Sequence, residues 1–244
     1  MFEFGKSEPQ QVFLTSEHGM YTYSDLERFT AFFLDIIKQK SDSLKWPVAF
    51  LSESSDLLIF AIAAAWNLGI PIIPLSPKLT QNELEDIIEE LSPSLIFCDT
   101  ANSNRLDGED VIHMDENFFL NAFTFDIRDL KLPNSSKIKE DTIFGYFLTS
   151  GTTGKSKIVP LKRRQMLSAA KASARNFQPE PNHFWLLCLP LNHVGGISII
   201  FRSLLYGSAI YRMGRFNEEM VTEFLSENPR FQAASVHAFE LESV

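Results

Sequence analysis

The feature that most constrains the fold is an alternation of short apolar segments with helical patterns in the first half of the chain. The apolar segment VAFLS at 48–52 precedes a helical pattern from about 55 to 68, which an apolar segment at 70–75 follows. Thr80 and Glu83 have capping-box spacing at the start of QNELEDIIEEL, and the apolar segment SLIFCD comes next. Strands separated by helices at this spacing pair in parallel. The sequence therefore predicts an α/β fold of mainly parallel sheets flanked by helices.

The alternation extends to both sides of this region. Upstream, SDLERFTAFFLDIIKQ predicts a helix that starts with capping-box spacing at Ser24 and Glu27. Residues 100–140 lose the pattern and predict an irregular connection with short extended pieces, DVIHM and FTFDI. Downstream, TIFGYFLTS predicts a strand, and strand and helix patterns then alternate in the order FWLLCLP, GGISIIFRSLLYG, SAIYRM, NEEMVTEFLSEN and RFQAASV.

The charge balance argues against two kinds of partner. The 244 residues carry a net charge of −9, and acidic proteins bind poorly to nucleic acids and anionic membrane surfaces. The uncharged stretch at 57–75 is long enough for a membrane span, but Gly69, Pro71 and Pro74 divide it into a helix end and an extended segment. We therefore expect a cytoplasmic protein without a nucleic-acid or membrane partner, and the oligomeric state stays open.

The two cysteines favour buried thiols. Cys98 and Cys188 lie in separate apolar runs and lack the CxxC spacing of metal and redox sites. We expect neither a disulfide nor a metal site from them, and no metal-binding residue is identifiable elsewhere in the chain.

One local segment is strongly basic. From Gly151 to Pro179 the chain contains no acidic residue, and its basic residues are Lys155, Lys157, Lys162, Arg163, Arg164, Lys171 and Arg175. This segment favours an anionic ligand nearby, although 162–164 fits a solvated helix face equally well.

The same segment begins with YFLTSGTTGKSKIVPL at 146–161. Gly154, Lys155 and Ser156 match the end of a Walker A loop, but that motif needs glycine where Thr149 stands and a helix directly afterwards. KIVPL follows instead and predicts a strand. The sequence therefore predicts a loop between two strands.

Such a loop is able to bind phosphate through other groups. Its glycines allow main-chain N–H groups to approach an anion, its hydroxyls donate hydrogen bonds and its lysines supply charge. An ordinary polar turn is the alternative, but a hairpin turn needs only two residues. The candidate phosphate-binding residues are Thr149, Ser150, Gly151, Thr152, Thr153, Gly154, Lys155 and Lys157.

YFLTSGTTGKSKIV closely resembles the phosphate-binding signature of the AMP-forming adenylating enzymes, a superfamily of acyl-CoA ligases, peptide-synthetase adenylation domains and luciferases. The usual form of that signature is Thr-Ser-Gly-Thr-Thr-Gly-x-Pro-Lys-Gly. The match is complete over 149–154 and includes Lys157, whereas Ser156 replaces the usual proline and Ile158 the usual glycine. YTYSDL, AAAWNLGIPIIPLSP and LPLNHVGGIS also resemble segments of the family, with Asn192 where an aromatic residue is common.

A second candidate site surrounds His193. This residue follows a predicted strand and precedes a predicted helix that begins at Gly195 and Gly196, which is where open α/β sheets bind ligands. From the residues alone, a satisfied structural histidine is the more common case. The resemblance implies that His193 borders the acyl and ATP pockets as a catalytic residue that orients groups, with Gly195 and Gly196 beside the substrate.

The segment HVGGISIIFRSLLYG is similar to the matching stretch of the 2-succinylbenzoate-CoA ligases of menaquinone synthesis. That similarity makes Arg202 a candidate partner for a substrate carboxylate, although a mid-helix arginine also reaches solvent in many proteins. Another acyl-CoA ligase, an adenylation domain and a non-catalytic nucleotide-binding domain remain alternatives.

The resemblance implies ATP, Mg²⁺ and coenzyme A as cofactors and a small carboxylate as substrate. It also implies that the chain is a truncated N-terminal AMP-binding domain at 1–244, with sub-regions of about 1–140 and 141–244. Counterparts of the family's later adenine-binding segment, its Tyr-Gly-x-Thr-Glu motif and its lysine-bearing lid domain are not found in the sequence. We therefore expect an acid-CoA ligase from the full-length protein and little activity from this chain alone.

Overall fold

Helices and strands alternate along most of the chain, as the apolar periodicity predicts. The computed structural model describes residues 8–40, 46–127, 132–133, 138–149, 157–177, 180, 183–214, 218–227 and 231–232. The helices are α1 (Tyr23–Lys40), α2 (Asp56–Leu68), α3 (Gln81–Leu91), α4 (Glu116–Thr124), α5 (Arg163–Phe177), α6 (Val194–Tyr206) and α7 (Glu218–Glu227), and a 3₁₀ helix spans Thr100–Arg105. The strands are β1 (Val12–Ser16), β2 (Gly19–Thr22), β3 (Val48–Leu51), β4 (Ile72–Leu75), β5 (Leu95–Asp99), β6 (Val111–Met114), β7 (Ile143–Thr149), β8 (Lys157–Lys162), β9 (Phe184–Leu187), β10 (Ala209–Arg212) and β11 (Phe231–Gln232).

The described strands form two sheets. One has the order β11-β9-β10-β1-β2 and the other the order β6-β5-β3-β4-β7-β8. Neighbouring strands pair in parallel except for β1 with β2 and β7 with β8, which are antiparallel. The prediction of mainly parallel sheets is confirmed, and each sheet takes strands from both sides of residue 140.

Apolar side chains cover both faces of the six-stranded sheet. Along β3, Val48 and Phe50 belong to the large core cluster that also contains the buried faces of α1, α2 and α6. Ala49 and Leu51 point the other way and pack in a second cluster with α3, as the two-residue period of a strand requires. The layers are therefore α3, the six-stranded sheet, a layer of helices and the five-stranded sheet.

The central helix α2 accounts for the long uncharged stretch in the sequence. Ser55 caps its start, accepting a hydrogen bond from the Leu58 amide, and Gly69 ends it in the left-handed conformation with φ of 73°. Residues 58 to 68 are all buried, so the helix is apolar on every side because protein surrounds it. Within the described residues, no helix has the length and hydropathy needed to cross a membrane.

Two local predictions are wrong. The α1 cap is formed by Thr22 and Asp25, not by Ser24 and Glu27: the Asp25 carboxylate accepts from the Thr22 amide at 2.8 Å, and the Thr22 hydroxyl accepts from the Asp25 amide at 3.2 Å. This earlier start buries the Tyr23 side chain, whose hydroxyl donates to main-chain carbonyls near α6.

The second error concerns 100–140, which contain a 3₁₀ helix and α4 in place of the expected irregular connection. The extended piece predicted at DVIHM is confirmed as β6. The FTFDI segment is helical at its first two residues, Phe123 and Thr124. The Asp115 carboxylate caps α4 by accepting from the Phe118 amide at 2.8 Å. Phe118 and Phe123 pack against Phe29 of α1, so tertiary packing stabilises a helix that has weak intrinsic propensity.

Arg163, the first residue of α5, does not lie on a solvated face. It is buried, its Nη1 donates to the Trp66 carbonyl at 2.7 Å, and its guanidinium carbon lies 3.6 Å from the centre of the Trp66 ring. Burial lowers the pKa of the guanidinium to about 10, and Glu140 opposes that shift. The arginine thus joins α5 to the carboxyl end of α2, where a cation interacts favourably with the helix dipole.

A buried ion pair links α2 to the five-stranded sheet. Arg212, at the end of β10, contacts Asp56 in the first turn of α2 with an Nε–Oδ1 distance of 2.5 Å, and 10% and 6% of their side chains are exposed. The Ser16 hydroxyl donates to the other Asp56 oxygen at 2.5 Å. Because Ser16 ends β1, the pair fixes α2 against the edge of the five-stranded sheet where its parallel strands end.

Candidate functional site

A cleft of about 640 Å³ opens at the carboxyl ends of parallel strands from both sheets. Its walls are the loops after β3 (52–54) and β4 (76–78), the end of β9 with the loop that follows (187–190 and 192–193), and the end of β10 (212–214). Ligands of open α/β folds bind at this edge, so the topology favours a ligand site where the sequence predicts His193.

His193 lies at the start of α6 and lines the cleft. It is the N-cap residue of α6, but its side chain makes no capping hydrogen bond, and the residue is exposed. Asn192 Nδ2 lies 3.4 Å from its Nε2. Upstream, the Leu191 amide donates to the Ser54 hydroxyl at 3.0 Å, which ties this loop to the loop after β3. The imidazole is therefore presented to the cleft from a loop that both sheets hold.

The two glycines after His193 have different surroundings. Gly195 is exposed, whereas Gly196 is buried against the end of the preceding strand segment. A Cβ on Gly196 would lie 2.4 Å from the Pro190 carbonyl oxygen and 3.0 Å from that of Leu189. Because residue 196 has no side chain, the first turn of α6 packs directly against the main chain of Leu189 and Pro190. This packing by itself requires glycine at position 196. Substrate contact by either glycine stays a prediction.

These surroundings predict opposite effects of alanine at neighbouring positions. We expect Gly196→Ala to lower the free energy of unfolding by about 1–3 kcal/mol, because the backbone must move to admit the methyl group. Gly195→Ala is the matched control: its Cβ would meet only Leu189 Cδ1, at 3.3 Å, and alanine favours a helix by up to about 1 kcal/mol. Urea denaturation of both variants measures the difference. Equal losses would contradict the close packing at Gly196.

The base of the predicted phosphate loop is an antiparallel strand pair, as expected. Thr149 of β7 pairs with Lys157 of β8, both are exposed, and the Thr149 hydroxyl donates to the Lys157 carbonyl at 3.4 Å. Since β7 runs parallel to β4, the loop leaves the same edge of the sheet on which the cleft opens. The other candidates, Ser150, Gly151, Thr152, Thr153, Gly154 and Lys155, lie outside the described residues, and their phosphate contacts stay predictions.

Arg202 is not brought to the cleft. It lies eight residues beyond the first residue of α6, about 12 Å along the helix axis. Its guanidinium carbon is 5.3 Å from the centre of the Trp185 ring, near the amino end of β9. Burial lowers the pKa of Arg202, and Tyr206 opposes the shift. Its Nε is buried without a hydrogen-bond partner, and its contact with a substrate carboxylate stays a prediction.

Sequence reasoning missed several polar side chains of the cleft. The loops after β3 and β4 contribute hydroxyls and Lys78, and the end of β10 contributes Arg212. The signal that could have found them is position, since Ser52, Ser76 and Arg212 stand at or directly after the end of an apolar segment where a parallel strand stops. Among the described residues, no group of three potential metal ligands occurs.

Cys188 also lines the cleft, but its thiol is not poised to react. Both cysteines are buried, and burial raises the pKa of each thiol to about 11. Because the thiolate is the nucleophile, we expect native protein at pH 7.5 to react with a chromogenic disulfide reagent at neither cysteine while denatured protein reacts at both. If the native protein reacts, a Cys188→Ser variant shows whether Cys188 or Cys98 is the reacting residue. Fast labelling of Cys188 in the native protein would show that the cleft wall opens.

Comparisons with known proteins agree with this geometry. The model of the AMP-binding enzyme family matches residues 1–238. The 2-succinylbenzoate–CoA ligase of Oceanobacillus iheyensis is 34% identical over 174 residues, which are 71% of this chain and 35% of that protein. The chain thus spans less than half the length of the curated relatives that it matches.

Solved structures share the fold at low identity. ATP-bound MatB from Rhodopseudomonas palustris superposes with a TM-score of 0.77 at 17% identity, covering 90% of this chain and 45% of that one. MenE, the o-succinylbenzoate CoA synthetase of Bacillus subtilis, superposes at 22% identity. Its complex with the acyl-adenylate OSB-AMP gives a TM-score of 0.71 and covers 97% of this chain and 62% of that one. Its complex with ATP and magnesium gives 0.70, with 90% and 58% covered.

Three findings therefore agree: the hexapeptide at 149–154, a cleft at the carboxyl ends of parallel strands, and a family match over nearly the whole chain. The chain belongs to the AMP-binding enzyme family of adenylate-forming enzymes and corresponds to its N-terminal region.

Proposed function

We propose that this chain is the phosphate- and acyl-binding part of an AMP-forming acid-CoA ligase. In the first step, a carboxylate attacks the α-phosphorus of ATP, giving an acyl adenylate and pyrophosphate. In the second, the thiol of coenzyme A replaces AMP and yields the thioester. The observation that carries the proposal is the position of the strands that flank the loop: Thr149, which ends β7, and Lys157, which begins β8, lie at the edge of the sheet where the cleft containing His193 opens.

The proposed role of the loop is to bind the two phosphates of ATP that are released as pyrophosphate. Its lysines and hydroxyls bind the β- and γ-phosphates, so that the α-phosphate faces the cleft and the carboxylate is in line with the leaving pyrophosphate. Several charge-assisted contacts of about 1.5–3 kcal/mol each suffice to fix a triphosphate. His193, Lys78 and Arg212 then form a polar wall for the acyl and phosphate groups.

Magnesium fits this proposal as a companion of the nucleotide. Mg²⁺ is commonly held by substrate phosphates together with one or two carboxylates, and it neutralises phosphate charge. The described part of the chain offers no preformed ligand cluster, so we assign no residue to the metal. Coenzyme A is proposed as the second substrate because acid-CoA ligases of the family require it.

The acyl substrate that we propose is 2-succinylbenzoate. Support comes from the relative in Oceanobacillus iheyensis and from the fold shared with MenE. On this proposal, the guanidinium of Arg202, which has a free Nε, receives a substrate carboxylate at the far end of the acyl site. Another acyl-CoA ligase with a different acid is the alternative.

The experiment is a pyrophosphate-release assay on the full-length protein that the gene encodes, with ATP, coenzyme A and a panel of acids. We expect release that requires both ATP and an acid, and 2-succinylbenzoate should exceed benzoate and aliphatic dicarboxylates at least tenfold in kcat/KM. Preference for a different acid would support the proposed ligase activity and contradict 2-succinylbenzoate as its substrate. ATP binding without pyrophosphate release from any acid would favour a non-catalytic nucleotide-binding domain.

A further inference from the structure

Three side chains behind the cleft join the two loops that form one of its walls. Asp99 ends β5, and Asn102 and Arg105 belong to the 3₁₀ helix that follows. None of the three lines the cleft. We refer to them as the Asp99–Asn102–Arg105 cluster, and to the cleft loops as the β3 loop (52–54) and the β4 loop (76–79).

The carboxylate of Asp99 holds the β3 loop. Its Oδ2 accepts from the Glu53 amide at 2.7 Å. Its Oδ1 accepts from the main-chain amide of Asn102 at 3.0 Å and from the Asn102 side-chain amide at 2.8 Å. Both oxygens therefore have main-chain donors as partners, and a neutral amide in place of the carboxylate is unable to accept on both sides.

The guanidinium of Arg105 holds the β4 loop. Its Nη1 donates to the Pro77 carbonyl at 2.8 Å, and its Nη2 donates to the Leu79 carbonyl at 2.5 Å. Nη1 also lies 3.4 Å from Asn102 Oδ1, so the buried Asn102 amide joins the arginine to Asp99. Only a planar fork of donors spans two carbonyls in this way, and a lysine supplies a single point of charge.

The contacts continue from the β3 loop to His193. Next to Glu53, the Ser54 hydroxyl accepts from the Leu191 amide at 3.0 Å. Leu191 precedes the histidine by two residues, and the His193 amide lies 3.4 Å from the Pro190 carbonyl. A continuous path of hydrogen bonds and peptide units thus connects Arg105 with the loop that presents His193.

We infer that Asp99, Asn102 and Arg105 are positioning residues that set the β3 and β4 loops, and through Ser54 the His193 loop, in register around the bound ligand. This inference rests on the proposed function in one respect, that the cleft is the ligand site. The cluster itself touches no ligand. It fixes main chain, so it acts through residues that line the cleft, and conservative changes in it alter geometry without removing any cleft side chain.

The test uses Arg105→Lys and Asp99→Asn in the 244-residue chain, with NMR of the histidine rings. A His193→Gln variant assigns the His193 signals. We expect both test variants to shift the ring signals of His193 and the amide signals of Ser54 and Leu191, while His18, exposed in the turn between β1 and β2, keeps its signals. Arg28→Lys is the matched control, because Arg28 donates to the Phe123 carbonyl at 2.8 Å away from the cleft.

Suppose that both test variants lower the melting temperature at least as much as Arg28→Lys does, while the His193 signals stay unchanged. That result would overturn the positioning role and leave the cluster purely structural. In the full-length protein, Arg105→Lys should lower kcat at least fivefold with less than a twofold change in the KM for ATP. If the full-length protein releases no pyrophosphate, the proposed function fails, whereas the NMR result still decides the inference because it needs no ligand.

Discussion

Replacing Asp56 by alanine is expected to lower the free energy of unfolding by about 3–5 kcal/mol, because it leaves the Arg212 guanidinium buried without its main partner. That guanidinium is only 10% exposed, and Glu17, 3.7 Å away, is itself at the surface. The change also removes the acceptor of the Ser16 hydroxyl and a negative charge from the first turn of α2. Urea denaturation measures the loss as a lower midpoint at an unchanged slope.

Two further variants separate the pair from general effects of charge. Arg164→Ala breaks an exposed ion pair with Asp141, at 3.2 Å, and should cost less than about 1 kcal/mol. The double variant Asp56→Leu/Arg212→Leu removes both charges and should regain part of the loss, since no unpaired ion remains. A loss below about 1 kcal/mol for Asp56→Ala would mean that the pair does not hold α2 against the five-stranded sheet.

Replacing both loop lysines is expected to have the largest effect on ligand binding. If Lys155 and Lys157 each contact phosphate, Lys155→Ala/Lys157→Ala removes two charge-assisted contacts of about 1.5–3 kcal/mol each. At 1.4 kcal/mol per factor of ten, the Kd for MgATP should rise by a factor of about 10² to 10⁴. Isothermal titration calorimetry of the chain with MgATP measures the change.

The control for this prediction is Lys171→Ala/Arg175→Ala, which changes the net charge equally. Both residues are exposed on α5 in the same basic segment. We expect this variant to bind ATP within about threefold of the unaltered chain, since screening weakens charges that do not touch the ligand. Equal losses in the two variants would assign the effect to the general field of the basic segment, and the loop would lose its specific role.

The architecture was predictable because local signals and burial agree along most of the chain. Ser55 and Gly69 mark the ends of α2, the Thr80–Glu83 capping box starts α3, and the apolar runs form strands of the expected parallel sheets. The position of His193 followed from the same alternation, since it stands between a strand and a helix.

Long-range contacts explain what the sequence did not reveal. Nothing near Arg163 in the sequence indicates that Trp66, 97 positions away, supplies its carbonyl and its ring. Likewise, α4 is rich in phenylalanine, and its helical state depends on packing against α1. The sequence also did not reveal that Arg202 lies beside Trp185 and outside the cleft walls, and its contact with a substrate carboxylate stays a prediction.

The measurement that tests the central claim most directly is ³¹P NMR of MgATP titrated with the 244-residue chain. The central claim is that residues 149–157 bind the β- and γ-phosphates of ATP. It predicts that the chain shifts and broadens the β- and γ-phosphorus signals and that the Lys155→Ala/Lys157→Ala variant leaves them as in free MgATP. Identical β- and γ-phosphorus signals in the presence of the unaltered chain and of the variant would contradict the claim.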